Sequence, residues 1–123
     1  MNSGILDLSY LYEVSGDDPA YVYDILCLFL ENVPLQLGKL EQYIRSEAEW
    51  SVIQKQAHAL KSSVLFVKIK GLYDGFYSLE MAAKQNTGRD MMVSKIDEIL
   101  AIFAEALPLL HAEQEKCLQA SKK

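Results

Sequence analysis

The sequence predicts an all-α protein: an antiparallel up-down four-helix bundle with a short additional N-terminal helix. Three observations predict it. Glycine and proline are scarce, six and three in 123 residues, so long stretches run without a break. Apolar residues recur at spacings of three and four through four of those stretches. No segment of useful length alternates apolar and polar residues as a strand would. Apolar types make up 50% and charged types 24%, which excludes disorder, collagen and a disulfide scaffold. Residues 1–123 read as one domain, with a core over about 6–118 and a frayed tail over 119–123.

The first element is a short helix within Leu6 to Val14, marked by Leu8 and Leu11. Ser15-Gly16-Asp17-Asp18-Pro19 breaks it, and Asp18 before Pro19 supplies a capping oxygen with proline at the first helical position. A second helix follows to about Arg45, with Val22, Ile25, Leu26, Phe29, Val33, Leu37, Leu40 and Ile44 on one face. Pro34 falls inside that pattern. Because the apolar period continues on both sides, a kink near Leu30 is expected rather than two helices. Ser46-Glu47-Ala48-Glu49 reads as a capping box for a third helix that runs to about Val67, with Trp50, Ile53, Ala57, Leu60, Val64 and Val67 on its inner face. After Gly71, a fourth helix spans Leu72 to about Gln85 through Leu72, Phe76, Leu79 and Ala83, and Gly88 reads as its left-handed cap. The last begins near Arg89 and carries Met92, Ile96, Ile99, Phe103, Leu107 and Leu110, with Pro108 placed where it can bend the helix.

Composition narrows the function. Seventeen acidic residues against twelve basic leave a net charge of −5, which argues against nucleic acid as the main partner. Cys27 and Cys117 lie far apart and outside any CxxC spacing, so zinc and thioredoxin-like chemistry gain no support. Cys27 is expected to be a small buried hydrophobe, and two unpaired thiols fit a reduced, cytoplasmic setting. The start of the chain lacks the basic and apolar regions of a signal peptide, and no apolar run is long enough for a membrane span. A bundle with its own core is expected to be a monomer. The tyrosines Tyr10, Tyr12, Tyr21 and Tyr23 read as packing and surface residues, as do the methionines Met81, Met91 and Met92. The charge runs Glu47 to Glu49 and Glu113 to Lys116 read as solvated helix faces.

Two histidines remain. His111, late in the last helix, reads as an end-of-helix surface residue. His58 is different. At about 100° per residue, it points roughly 130° away from the centre of the stripe formed by Ala57, Leu60 and Val64. It is therefore an exposed histidine in the middle of a helix. Its helical neighbours are Gln54, Lys55, Lys61 and Ser62, with Leu65 one turn on and Phe66 also pointing outward. An apolar patch beside a reactive polar group suggests a docking surface.

Phosphoryl transfer suits this arrangement. A water-facing imidazole is largely neutral at pH 7, and its ring nitrogen is then a competent nucleophile. Lys61 can set its ammonium near incoming phosphoryl oxygens, and Ser62 leaves room for close approach. No acidic residue lies three or four positions from His58 to orient it. No Glu-x-x-His, HExxH, Gly-rich phosphate loop or GxSxG occurs, so neither a metal bundle nor an ATP site is indicated. The chain is thus expected to have no cofactor and no kinase activity of its own.

The run Ala57-His58-Ala59-Leu60-Lys61-Ser62-Ser63 resembles the signature of histidine-containing phosphotransfer (HPt) domains, roughly A-H-x-L-K-G-[SA]-[SA]. Asp7 to Leu11, Gly16 to Pro19, Leu28-Phe29-Leu30 with Pro34, and Leu72 with Leu79-Glu80 are similar to further parts of that family, so the resemblance spans nearly the whole chain. It implies a phosphorelay intermediate that takes a phosphoryl group from a receiver-domain aspartate onto His58, at the ring nitrogen distal to the backbone, and hands it to another receiver. Lys61 matches the lysine that contacts the phosphoryl group. Magnesium and the acidic pocket would belong to the receivers. Ser62 and Lys68 stand where the family usually has glycines, and Lys68 bears on the geometry at the end of the third helix. The alternative is a non-catalytic adaptor that binds receiver or kinase domains through Leu65 and Phe66.

Overall fold

The structure, a computed structural model, describes residues 4–122. Met1 to Ser3, where the leader reading begins, and Lys123, in the expected tail, lie outside the described residues. Elements follow in the order β1 (Leu6–Asp7), α1 (Ser9–Val14), α2 (Pro19–Arg45), α3 (Trp50–Ser63), β2 (Lys68–Ile69), α4 (Leu72–Lys84) and α5 (Arg89–Ser121). The described residues are mostly helical, with five helices and one two-stranded antiparallel sheet among them that sets Leu6 opposite Ile69 and Asp7 opposite Lys68.

The long helix α2 has the bounds the sequence predicts. Asp18 accepts the amide of Ala20 at 3.0 Å, Pro19 opens the first turn, and the helix continues through Pro34 to Arg45. Seven of its expected inner residues are buried, and Ile25 is half-buried.

Several boundaries differ, each for a local reason. The first segment is not helical from Leu6, because Leu6–Asp7 pairs as a strand with Lys68–Ile69 and the Asp7 carboxylate accepts the Ser9 amide at 2.9 Å. Ser46 does not cap α3. It closes α2: the Ala48 amide donates to Tyr43 O and that of Glu47 to Ile44 O, with Glu47 at φ 53°. This is a Schellman turn, and it leaves Glu49 to precede α3. The same turn closes α4 with Asn86 as its left-handed residue (φ 54°), so Gly88 instead precedes α5. Helix α3 ends at Ser63 rather than Val67, because the chain must leave the helix to put Lys68–Ile69 into the sheet. Helix α5 runs to Ser121, through most of the span read as a tail. In it Ala106, not Leu107, is fully buried, because the alternating step of three and four from Phe103 to Leu110 passes through Ala106.

Helix α2 lies antiparallel along α5. Arg45 bonds Asp97 near one end, and Gln114 reaches Cys27 at 3.1 Å further along. Cys27 is thus half-buried and hydrogen-bonded rather than a core residue. Helix α3 packs on α2 and α4, and α4 packs on α5. The last contact is close: a Cβ on Gly75 would lie 2.9 Å from Ile99, so only glycine fits there unless Ile99 shifts. The core joins all of these elements, with Phe76, Leu60, Leu79, Ile96 and Ile99 fully enclosed. No helix of the described residues is long and apolar enough to cross a membrane.

Candidate functional site

The site is built on the seam between α3 and α4. Burial of Ile53, Ala57 and Leu60 fixes the rotation of α3, and burial of Leu72, Phe76 and Leu79 fixes that of α4. With α3 so fixed, the His58 side chain faces water and is 61% exposed. With α4 so fixed, Glu80 lies beside His58 and Lys61, with 12% exposure for its side chain and 17% for that of Lys61.

The contacts around Glu80 define the site. One carboxylate oxygen, Oε2, lies 2.7 Å from His58 Nδ1, and the other, Oε1, lies 2.8 Å from Lys61 Nζ. One carboxylate therefore holds both of the expected reactive side chains. Burial alone would raise the Glu80 carboxyl, but the bonds and charges of Lys61 and His58 outweigh it, so its pKa falls below the usual carboxylate value. The bond to Glu80 in turn raises the Lys61 ammonium against partial desolvation. The Lys61 Nζ also sits 5.3 Å from the Tyr77 ring centre and 5.9 Å from that of Tyr73, within cation–π range.

This arrangement sets the chemistry of the imidazole. An ionised carboxylate is an acceptor only, so Nδ1 donates its N–H to Glu80. In the neutral ring Nε2 then carries the lone pair. Nε2 is the nitrogen distal to the backbone. Gln54, Lys55, His58 and Glu80 line a shallow cleft of about 320 Å³ at this point.

Sequence reasoning brings together His58, Lys61, Gln54 and Lys55, and these are neighbours in the structure. Ser62 is exposed on α3, beyond the cleft lining. Leu65 and Phe66 are exposed, at 46% and 43%, but a helical wheel does not describe them, because α3 has already ended. Leu65 turns toward a hollow beside the small sheet, and Phe66 stacks on Tyr10 with ring centres 5.3 Å apart. Lys68 lies on β2, not at a helix end, with its ammonium 5.2 Å from the Tyr10 ring centre. His111 is exposed.

Glu80 is the residue that reasoning along α3 alone misses. The signal was present on α4, where Tyr73, Tyr77 and Glu80 recur at steps of four and three beside the core stripe. A second polar cluster was also missed. Glu113, expected on a solvated face, is buried, and the Tyr12 hydroxyl bonds both its carboxylate and Cys117 Sγ, the latter at 3.2 Å. Burial, then those two partners, raises the Tyr12 phenol. No group of three or more metal-ligating side chains occurs among the described residues.

No family model matches the chain, and neither a curated protein nor a solved structure matches it significantly.

Proposed function

We propose that the chain is a histidine phosphotransfer module, an antiparallel up-down four-helix bundle that carries a phosphoryl group between receiver domains. The observation that carries this reading is the Glu80 carboxylate on Nδ1 of His58, which leaves an exposed Nε2 with its lone pair. That nitrogen attacks the phosphorus of a receiver's aspartyl phosphate. The N–P bond forms as the aspartyl O–P bond breaks, and the aspartate carboxylate leaves with the electron pair. The ring gains positive charge in the process, and the Glu80 carboxylate on its N–H stabilises that charge. Lys61, held by Glu80 and the two tyrosines, faces the phosphoryl oxygens. The reverse step loads a second receiver.

Magnesium and the acidic pocket belong to the receiver, since this site offers one carboxylate beside an ammonium. The chain contributes the nucleophile and its orientation, not an autonomous kinase activity. A relay of this kind works in the cytoplasm.

Incubation with a receiver carrying a radiolabelled aspartyl phosphate is expected to label this chain, and His58→Gln to abolish the label. Labelling that persists in the variant would reject His58 as the acceptor. The exposure of Leu65 and Phe66 favours a second reading, an adaptor that holds receiver or kinase domains without transfer. On that reading Leu65→Asp abolishes binding, and His58→Gln leaves it intact.

A further inference from the structure

The contacts of His58 act on the ring after it is phosphorylated as well as before. A phosphoryl group on Nε2 makes that nitrogen the leaving group of the next step. In that step an oxygen nucleophile bonds to phosphorus, the Nε2–P bond breaks, and its electron pair returns to the ring. If Nδ1 still carries its proton, the ring departs as neutral imidazole. If Nδ1 is bare, the ring must depart as an anion, a far poorer leaving group. Whatever holds that proton therefore controls how readily the phosphoryl group moves on.

Three charged groups and two phenols surround the proton. On α3, Lys55 lines the cleft and is exposed, and Lys61 lies one turn on. On α4, Glu80 lies against the ring, and Tyr73 and Tyr77 flank Lys61. The two ammonium groups oppose a positive ring, and the carboxylate favours one. The carboxylate prevails by geometry. Its Oε2 lies 2.7 Å from Nδ1, close enough for a charge-assisted hydrogen bond. Its Oε1 takes the Lys61 ammonium at 2.8 Å, so that charge is already matched, and Lys55 stands in solvent where screening is strong. Loss of the Nδ1 proton would also set a bare lone pair against a largely buried carboxylate.

Building on the phosphotransfer reading, we propose that Glu80 is a positioning residue for discharge: it keeps the Nδ1 proton on phosphorylated His58 past neutral pH, so that the phosphoryl group stays ready to leave. The site is then made for passage rather than storage.

Discharge to water tests this without a partner. The chain is prepared as His111→Gln, which leaves His58 as its one imidazole, and is loaded with phosphoramidate, a small phosphoryl donor. Release of inorganic phosphate is followed from pH 6 to pH 9.5, each chain being scaled to its own rate at pH 6, so that a general loss of activity does not mimic a shift. The rate is expected to hold past neutrality in this parent, and to fall at least about one pH unit earlier in Glu80→Gln. Lys61→Ala gives the ring sole use of the carboxylate, and is expected to move the fall to higher pH. A merely structural role would move both variants in the same direction. Coincident profiles for the parent and Glu80→Gln, or shifts of the same sign in both variants, would overturn the proposal and leave His58 as the acceptor. A chain that takes label from neither phosphoramidate nor a receiver would overturn the phosphotransfer reading and this proposal with it.

Discussion

The two ends of the molecule each set a carboxylate from a long-range helix against a ring, and they do so to opposite effect. At one end Glu80 meets His58 and Lys61 at the surface. At the other, Glu113 meets Tyr12 and lies near Lys116, whose ammonium is 3.9 Å away. The His58 ring is 61% exposed, whereas Glu113 is buried and the Tyr12 ring is partly covered. Glu80 binds one nitrogen of a ring that has two, and the second is left to meet an outside group. The Tyr12 hydroxyl spends its bonding on Glu113 and Cys117, which pins α1 to α5. Exposure, more than residue type, separates a carboxylate that would prepare a reaction on the proposed reading from one that holds two helices together.

That contrast can be broken by substitution. The largest effect is expected from His58→Gln, which should lose all phosphoryl labelling while its urea midpoint stays that of the parent. A fall in stability of more than about 1 kcal/mol would mean that the ring is structural after all. Next comes Glu80→Gln. The amide is a weaker acceptor for the Nδ1 proton and carries no charge, so transfer should slow about 10- to 100-fold in a rapid-quench time course. An unchanged rate would leave the carboxylate a bystander.

Tyr12→Phe should reverse the pattern. It takes a hydroxyl from the buried Glu113 carboxylate and should cost about 1–3 kcal/mol in urea unfolding, with transfer from a receiver untouched. The smallest effect sharpens the comparison by pH. The Glu80 pKa is lowered on folding, so its stabilising contribution is present above the ordinary carboxyl range and is lost as pH falls through its lowered folded value. The stability gap between the parent and Glu80→Gln should therefore be wider at pH 7 than at about pH 3 in paired denaturation curves. A gap that widens on acidification would contradict the assigned sign.

Much of α2 was legible in the sequence because its signals are local: an Asp-Pro start and an apolar face that repeats without a gap. The exposure of His58 was legible for the same reason, since three buried neighbours on one short helix fix where it points. Ser46 misled because the capping-box pattern and the Schellman turn compete for Ser46, Glu47 and Ala48, and the turn takes them. Leu65 and Phe66 were placed on a helix that the small two-stranded sheet cuts short. Glu80 was hidden for a different reason. It lies 22 residues from His58, and only the packing of α4 on α3 brings the two together. Glu113 was misread because a charged run says nothing about a tyrosine 101 positions earlier.

Two prolines sit inside the two longest helices, Pro34 in α2 and Pro108 in α5. Each deletes one rung of its helix ladder, so the carbonyls of Leu30 and Ala104 lose their usual donors. Both prolines are exposed, on the side of each helix where water can stand in for the missing amide. Solvent, not the core, absorbs the interruption in both rods.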